Sequence, residues 1–348
     1  MTNLTGSAPG RVNLIGEHLD YNGGRCLPIA LTQRTRVSVA PSDDGQLNIT
    51  SGGLSWSGLP VERAEGWASY VAGVLWALDV DVALTLEVSS DVPIGAGLSS
   101  SAALECATAV AVDALLELGR SSAELAAACV RAETSYVGAP TGGLDQTTAM
   151  FARAGQALLL DFATASLTRV PWHPEEDGLS LLVVDTRVAH DHAEGGYRDR
   201  REECERAAAL LGVEHLAHAT SLDGLPGELA GRARHVVSEQ ARVDAFADAV
   251  RDRDWKSAGT LMTASHASLR DDFEVSCPEL DTVVDVALEH GALGARMTGG
   301  GFGGAAIVLV PEEQAAAVRV AVDDAFTWRG WHAPGHLTAI AGPGAHVE

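Results

Sequence analysis

Lysine is nearly absent from this sequence, and its absence excludes several functions. Lys256 is the single lysine among 348 residues, and 47 Asp and Glu against 24 Lys and Arg leave a formal net charge of -23. Nucleic acids attract clustered basic side chains, so this balance argues against a nucleic-acid partner. The glycine-rich stretches contain no lysine, which excludes a Walker P-loop. A bound phosphate would therefore depend on backbone N–H groups, arginine or a metal ion.

Cysteines and long apolar runs are also scarce. The five cysteines lie far apart, and their odd number and irregular spacing favour free thiols in a reducing cytoplasm over disulfides or a metal site. The N-terminal residues have neither the basic head nor the apolar core of a signal peptide. No apolar run approaches the ~20 residues that span a bilayer. We therefore expect a cytoplasmic protein without a membrane partner.

The sequence does contain an irregular mixture of strand and helix patterns. Apolar and polar residues alternate over residues 35–41 and 82–88, which predicts strands. Helical spacing covers residues 66–79 and, after a serine cap, residues 121–138. The glycine-containing residues 139–146 are expected to break this second helix. Hydrophobic residues make up 46% of the chain, which is sufficient for a sizeable core.

A charged, proline-containing segment at residues 168–178 is the best candidate boundary between two domains, 1–170 and 171–348. A strand at 179–186 and a series of helices follow it, without the regular alternation of a Rossmann sheet or a barrel. The order of the elements therefore predicts an α+β fold of two domains.

The stretch PIGAGLSSSAALE (residues 93–105) follows the strand at 82–88. Gly95 and Gly97 let the backbone approach an anion closely, and a helix pattern begins after them. A helix N-terminus carries unpaired N–H groups and a partial positive charge, so this arrangement can cradle phosphates. A serine-capped glycine turn without a ligand is the alternative interpretation. A dinucleotide fold is excluded, because the third glycine and the later acidic residue of that motif are missing.

A second glycine-rich stretch, RMTGGGFGGAAIVLV, covers residues 296–310. Five of the six residues from 299 to 304 are glycines, and Phe302 is the exception. Ordering so many glycines costs conformational entropy, which argues against a loop that only connects two elements. We expect this loop to lie against a ligand or against the backbone of another segment.

Two acidic residues are candidates for chemistry. Glu133 lies late in the helix at 121–138, and Asp145 follows two glycines whose turn could aim it into a cleft. A carboxylate beside a hydroxyl group can act as a general base, and one beside phosphate can hold Mg²⁺. A single acidic residue is more often a solvated surface charge. We interpret HDH (190–192) as a solvated turn rather than a metal site.

Three stretches together resemble one family of kinases. GRVNLIGEHLDYNGG (10–24) resembles the galactokinase signature, PIGAGLSSSAALE the phosphate loop of the GHMP superfamily, and RMTGGGFGGAAIVLV its third motif. GGLDQ (142–146) and HASLRDDFEVSCPELD (266–281) are similar to galactokinases in particular. The resemblance implies the two-domain GHMP kinase fold. Its N-terminal domain is like ribosomal S5 domain 2, its C-terminal domain is a ferredoxin-like α/β sandwich, and its active site lies in the cleft between them.

By this resemblance, the signature and two later residues bind a free sugar through its hydroxyl groups, which carboxylates and imidazole can pair with. Asp145 matches the catalytic acid of the family and would accept the proton of the anomeric hydroxyl. Arg11 matches the neighbouring arginine, which favours the ionised carboxylate and stabilises negative charge during transfer. The implied sugar-binding residues are Glu17, His18, Leu19, Asp20, Gly142 and Tyr197.

The resemblance also implies a nucleotide and a metal ion. Ser101 and Glu133 match the Mg²⁺ ligands of the family, a hydroxyl and a carboxylate that suit this hard cation. ATP would be the co-substrate, with its phosphates on the glycine- and serine-rich loop. The implied phosphate-binding residues are Gly95, Ala96, Gly97, Leu98, Ser99, Ser100 and Ser101.

The expected reaction is ATP-dependent phosphorylation of α-D-galactose at the anomeric oxygen, which yields galactose 1-phosphate and ADP. The sequence differs from the usual family pattern at Leu19, Arg25, Thr141 and Leu144. Two alternatives stay open: a related sugar-1-kinase for arabinose, a uronic acid or an amino sugar, and a sugar and ATP sensor with little turnover. We expect galactose and ATP as partners, no nucleic acid or membrane, and a monomer.

Overall fold

The computed structural model describes residues 3–60, 62–188 and 193–348, so the HDH stretch at 190–192 lies outside the described residues. No helix in those ranges is long and apolar enough to cross a membrane. The strands are β1 (Leu4–Asn13), β2 (Arg25–Cys26), β3 (Pro28–Pro41), β4 (Leu47–Ser51), β5 (Leu54–Gly58), β6 (Leu84–Ser90), β7 (Gln156–Asp161), β8 (Ser166–Pro171), β9 (Leu179–Asp185), β10 (Gly294–Thr298), β11 (Ala305–Pro311), β12 (Gly335–Thr338) and β13 (His346–Val347). The α-helices are α1 (Ala68–Ala77), α2 (Ser100–Leu115), α3 (Ser122–Arg131), α4 (Leu144–Phe151), α5 (Ala193–Leu211), α6 (Gly227–Arg251), α7 (Trp255–Asp271), α8 (Pro278–Glu289) and α9 (Glu312–Arg329).

The first sheet has six strands in the order β13–β1–β3–β6–β4–β5. The pair β4–β6 is parallel, whereas the other neighbours are antiparallel. Strand β6 has the predicted alternation from residue 84 on, because Leu84, Leu86 and Val88 are buried while Thr85 and Glu87 are exposed. The strand begins two residues later than predicted, and Val82 before it is exposed. Helix α2 covers β1 and β3 with a face rich in buried alanines, which permits a close approach. The phosphate-loop stretch therefore leads into a helix packed on this sheet.

The second sheet has four antiparallel strands in the order β10–β11–β9–β12. Along the chain, α5 to α8 connect β9 to β10, and α9 connects β11 to β12. This strand order is that of a ferredoxin-like domain, so the predicted α+β class and the C-terminal architecture are confirmed. Strand β10 was not predicted, because all five of its residues are buried and no alternation marks it.

The end of the chain returns to the first sheet, where β13 pairs with β1. The guanidinium of Arg34 holds the segment before β13 by donating to the carbonyls of Pro343 (2.8 Å) and Gly344 (2.9 Å). The end of β1 packs in the same apolar core as the second sheet. Strand β8 occupies part of the predicted boundary segment and pairs with β7. The division between residues 170 and 171 stays a prediction.

The helix predicted over residues 121–138 is confirmed at its start. Ser121 caps α3 in a capping box with Glu124, as the serine cap predicted. Near its end the helix widens into a π-helical turn over Ala132–Val137, which carries Glu133. Such turns are frequent at functional sites, and no local pattern in the sequence predicted this one.

The break predicted over residues 139–146 is too long. Helix α4 already begins at Leu144, so Asp145 lies in its first turn. The residue before the helix is Gly143, which has a left-handed φ of 91° and provides no side-chain cap. The start of α4 therefore lacks the Ser, Thr, Asp or Asn that normally signals a helix N-terminus.

Candidate active site

A cavity of about 200 Å³ forms where the signature loop at residues 10–24 meets α4, α5 and the third glycine-rich loop. Its wall comes from segments that are far apart in the sequence. Both glycines that begin the third loop contribute to it. The predicted site residues that line the cavity are Arg11, Glu17, His18, Asp20, Glu133, Asp145 and Tyr197.

Asp145 and Arg11 form a charged pair in this cavity. The first turn of α4 places Asp145 where the partial positive charge of a helix favours a carboxylate. Arg11 lies on β1, directly after a shift of register at Pro9. Its Nε and Nη2 atoms lie 2.7 and 2.6 Å from Asp145 Oδ1, and its Nη1 donates to the Gly97 carbonyl at 2.7 Å. One arginine therefore connects Asp145 to the phosphate loop.

Ser99 binds the other oxygen of the same carboxylate. Its hydroxyl donates to Asp145 Oδ2 at 2.5 Å. The backbone of Ser99 has a left-handed φ of 60°, which is uncommon for a residue other than glycine. The sequence predicted Ser99 only as part of the phosphate loop, and no local signal points to this contact. Both oxygens of Asp145 therefore accept hydrogen bonds.

The two glycine-rich loops lie against each other beside this pair. Gly97 has a left-handed φ of 70°, and α2 begins three residues later at Ser100. A side chain at Gly299 would place its Cβ atom 3.1 Å from the Gly97 carbonyl oxygen. The expectation that the third loop packs on another backbone is confirmed. The first turn of α2 has the N–H groups that any helix N-terminus can offer to an anion.

Glu133 and Ser101, the predicted metal ligands, are neighbours. The Ser101 hydroxyl lies close enough to the Glu133 carboxylate to favour its ionised form and oppose the rise of its pKa. Gln146 Nε2 donates to Glu133 Oε2 at 2.5 Å and to Glu105 Oε2 at 3.0 Å. Burial, together with the negative charge of Asp145, raises the pKa of Glu133 to about 7. No group of three or more His, Cys, Asp or Glu within the described ranges could hold a metal ion.

Ser101 and Glu133 together suit a hard divalent cation that is also bound by a phosphate group. Hydroxyl and carboxylate oxygens are the donors that Mg²⁺ uses, usually together with substrate phosphates. The carboxylates of Asp20, Glu133 and Asp145 line one small cavity, and Arg11 is its basic residue. A cation beside Glu133 would offset this excess of negative charge. The identity of the metal stays a prediction.

Asp20 lines the cavity and is in close contact with Gly142. A Cβ atom at Gly142 would lie 2.1 Å from Asp20 Oδ2. Burial raises the pKa of Asp20 to about 6, helped by the negative charge of Asp145 and opposed by Arg11. Because only glycine fits opposite this carboxylate, the loop before α4 and the signature loop position each other.

His18 lies next to this loop contact, with a left-handed φ of 63°. Its ring packs against Phe273 and Tyr197, at centroid distances of 4.6 and 5.5 Å. Burial, aided by the charge of His235, lowers the pKa of His18 to about 3, so the imidazole is neutral at neutral pH. Its Nε2 atom is buried and has no hydrogen-bond partner among the described residues.

Glu17 reaches the cavity, but its carboxylate is already engaged. Oε1 accepts hydrogen bonds from the Gly299 N–H (3.0 Å) and the Thr298 hydroxyl (3.2 Å), and Oε2 pairs with Arg296. Arg296 is completely buried and also donates to the Asn13 carbonyl at 3.1 Å. Sequence reasoning missed Arg296, although an arginine directly before the third glycine-rich loop was a weak signal. Glu17 thus joins the signature to that loop.

Leu19 and Tyr197 differ in their relation to the cavity. The side chain of Leu19 is completely buried in the core and does not line the cavity, and its carbonyl accepts from the N–H groups of Asn22 and Gly24. Tyr197 lines the cavity from α5 and lies beside Gly300. That Leu19, Tyr197 and the other predicted residues contact a sugar stays a prediction.

Known proteins resemble this chain over nearly its full length. It is 46% identical to a galactokinase from Streptomyces coelicolor, across 97% of this chain and 92% of that protein. It is 45% identical to a galactokinase from Mycobacterium tuberculosis, with 97% of each covered. The structure of Lactococcus lactis galactokinase complexed with galactose matches it with a TM-score of 0.92 at 32% identity, covering 99% of this chain and 95% of that one.

Family models agree with the geometry of the two loops and the two sheets. The GHMP kinases N terminal domain matches residues 69–153, and the GHMP kinases C terminal domain matches residues 246–327. Fold and glycine-rich loops together define a GHMP kinase. The galactokinase galactose-binding signature matches residues 2–41, which contain the loop around Asp20. The chain belongs to the galactokinase family.

Proposed function

We propose that this kinase transfers the γ-phosphoryl group of ATP to the anomeric hydroxyl of α-D-galactose, forming galactose 1-phosphate and ADP. One observation carries the assignment of its site. Asp145 lines the cavity together with Asp20, and it is connected to the phosphate loop through Arg11 and Ser99. A proton acceptor and an anion-binding helix N-terminus are thus adjacent, as phosphoryl transfer to a hydroxyl requires.

Asp145 accepts the proton of the anomeric hydroxyl as that oxygen attacks the phosphorus atom. Arg11 and Ser99 donate hydrogen bonds to its two oxygens and hold the carboxylate in place. The charge and the position of Asp145 therefore contribute alongside proton transfer. These contributions matter because phosphoryl transfer depends mainly on positioning and on stabilising negative charge. Arg11 supplies part of that stabilisation.

Residues 95–101 hold the phosphates of ATP, and Ser101 and Glu133 would hold Mg²⁺ beside them. A bound Mg²⁺ would supply positive charge that offsets the charge of the phosphates. The backbone N–H groups in the first turn of α2 bind the phosphate oxygens and keep them in place during transfer. Gln146 orients Glu133 through its hydrogen bond of 2.5 Å.

Asp20 and His18 make the direct contacts with the sugar hydroxyls, Tyr197 completes the wall around the ring, and Gly142 leaves room for the Asp20 carboxylate. Asp20 is an acceptor when ionised, while a neutral imidazole can donate from one nitrogen. Glu17 and Leu19 support this loop, Glu17 through Arg296 and Leu19 through the core. Sites built around substrate hydroxyls reject analogues that cannot pair with them.

Three further features belong to this proposal. The chain folds as domains 1–170 and 171–348 with the active site in the cleft between them. It acts as a monomer. The cytoplasm is its compartment, and its five unpaired cysteines suit reducing conditions.

A steady-state assay of the full chain with ATP, Mg²⁺ and a panel of free sugars tests the proposed reaction. The panel contains galactose, glucose, arabinose, galacturonic acid and galactosamine. We expect the highest kcat/KM with galactose and formation of the 1-phosphate. A higher kcat/KM with another sugar would identify a sister sugar-1-kinase. Binding of sugar and ATP without turnover would identify a sensor and overturn the proposal.

A further inference from the structure

Tyr21 contacts the sugar-facing histidine directly. Its hydroxyl lies 2.9 Å from His18 Nδ1, and its ring meets the His18 ring edge to face, at 5.9 Å and an interplanar angle of 80°. The same ring meets Tyr197 at 5.6 Å and 70°. Tyr21 is therefore part of an aromatic cluster behind His18, which lines the cavity.

The hydrogen bond between these side chains determines which nitrogen of His18 carries the proton. A neutral imidazole has one N–H donor and one acceptor nitrogen, and a phenol has one proton to donate. His18 Nδ1 is the partner that the described residues provide for the Tyr21 hydroxyl. The Tyr21 hydroxyl lies in a partly buried cluster, where a phenol proton without an acceptor would cost free energy, so Tyr21 donates to Nδ1. The proton of the neutral ring then resides on Nε2.

A proton on His18 Nε2 is available to a ligand in the cavity. The atom is buried and without a hydrogen-bond partner among the described residues, on a side chain that lines the cavity and is only 5% exposed. A buried N–H group without a partner is costly, so a ligand oxygen that accepts from it gains affinity.

We propose that Tyr21 is a positioning residue that holds His18 with its Nε2–H directed into the cavity, where it donates to a hydroxyl oxygen of the sugar. The cavity then offers a fixed hydrogen-bond donor at His18 beside an acceptor at Asp20. One sugar hydroxyl can accept from His18 and donate to Asp20. The inference rests on the proposed function, because it deepens the sugar-binding role of the same site.

Arg201 supports this arrangement from α5. Its guanidinium lies 5.6 Å from the centre of the Tyr21 ring, a distance at which a cation interacts with an aromatic face. A positive charge at that position strengthens the phenol as a hydrogen-bond donor. Its Nη1 atom is 3.4 Å from the Thr141 carbonyl, in the loop before α4. The cluster thus extends from the signature to the loop that carries Gly142.

Tyr21→Phe tests the proposal, because it removes the hydroxyl and retains the ring. We expect the KM for galactose to rise about fivefold, as for one lost hydrogen bond, while kcat and the KM for ATP stay within twofold. Tyr136→Phe is the matched control. Its hydroxyl is bonded to the backbone of Ala64 and Glu62, outside the cavity. We expect it to leave the KM for galactose unchanged. An unchanged KM for galactose in Tyr21→Phe would overturn the proposal.

Nitrogen-15 NMR of the imidazole groups in the full chain provides the second readout. The His18 signals are assigned by their loss in His18→Asn. We expect protonated Nε2 and unprotonated Nδ1 in the original chain, and a partly protonated Nδ1 in Tyr21→Phe. Protonated Nδ1 in the original chain would overturn the proposal. The NMR measurement needs no turnover and therefore tests the role of Tyr21 alone. A failure of the galactose assay would overturn the proposed reaction instead.

Discussion

The backbone of Gly142 lies directly against the carboxylate of Asp20, because a Cβ atom at Gly142 would be 2.1 Å from Asp20 Oδ2. Gly142→Ala must therefore displace Asp20 or the loop before α4. We expect the KM for galactose to rise about tenfold, since a hydrogen bond to a charged group contributes roughly 1.5–3 kcal/mol. The KM for ATP should change much less, as steady-state kinetics can measure.

Gly195→Ala is the control for this substitution. Gly195 lies in α5, and nothing lies within 4 Å of the point that a Cβ atom would occupy there, so the same chemical change meets open space. We expect kinetics like those of the original chain, with a small gain in stability from helix propensity. If both variants bound galactose equally well, the contact between Gly142 and Asp20 would have no role in recognition.

Asp145→Asn removes the negative charge of the proposed base at nearly constant size. We expect turnover to fall by ~10²–10⁴-fold, the usual contribution of a general acid–base group. Calorimetry should still detect galactose binding, and the melting temperature should change little. Asp43→Asn, at an exposed position, is the charge-matched control and should retain full turnover. Near-complete activity of Asp145→Asn would contradict its assignment.

Ser101→Ala removes one of the two proposed metal ligands. We expect the Mg²⁺ concentration for half-maximal activity to rise about tenfold, within the range found for perturbed metal sites, and kcat to fall. Ser101→Thr retains a hydroxyl and should recover part of the loss. The KM for galactose should not change in either variant. A higher KM for galactose at constant metal dependence would instead place Ser101 at the sugar.

The raised pKa of Asp20, about 6, predicts that galactose affinity depends on pH. The charged and titratable groups around it are Asp145 and Arg11, with the phenols of Tyr21 and Tyr197. Sugar hydroxyls donate to the ionised carboxylate, so the Kd for galactose should rise about tenfold per pH unit below about 6. Calorimetric titrations between pH 5 and 8 measure this, and Asp20→Asn should flatten the profile.

The raised pKa of Asp20 also makes the free energy of unfolding depend on pH. The pKa of Asp20 is higher in the folded chain than its ordinary value of 3.8, so the folded chain binds more protons between about pH 4 and 6. The contribution of Asp20 to the free energy of unfolding is therefore present below about pH 4 and is lost as pH rises through 6. Urea unfolding of the original chain and Asp20→Asn should differ accordingly. The opposite slope would show that Asp20 is stabilised as a carboxylate.

The sequence by itself was sufficient for features whose cause lies within a few neighbouring residues. Alternation predicted β6, Ser121 with Glu124 predicted the start of α3, and the glycines before Ser100 predicted a turn that leads into a helix N-terminus. Each depends on one strand or one helical turn. The catalytic role of Asp145 was predicted from the resemblance of the motifs. From residue spacing alone, Asp145 could also have been a solvated charge on the surface.

Tertiary structure alone decided which distant groups meet. Glu17 accepts from Thr298 across 281 positions, and Ser99 donates to Asp145 across 46, although neither pair has a local pattern. Strand β13 joins the first sheet although it lies at the opposite end of the chain. Such contacts arise because burial of apolar surface fixes how sheets and helices pack. The polar groups that this packing brings together must then pair, since an unpaired buried donor or acceptor costs free energy.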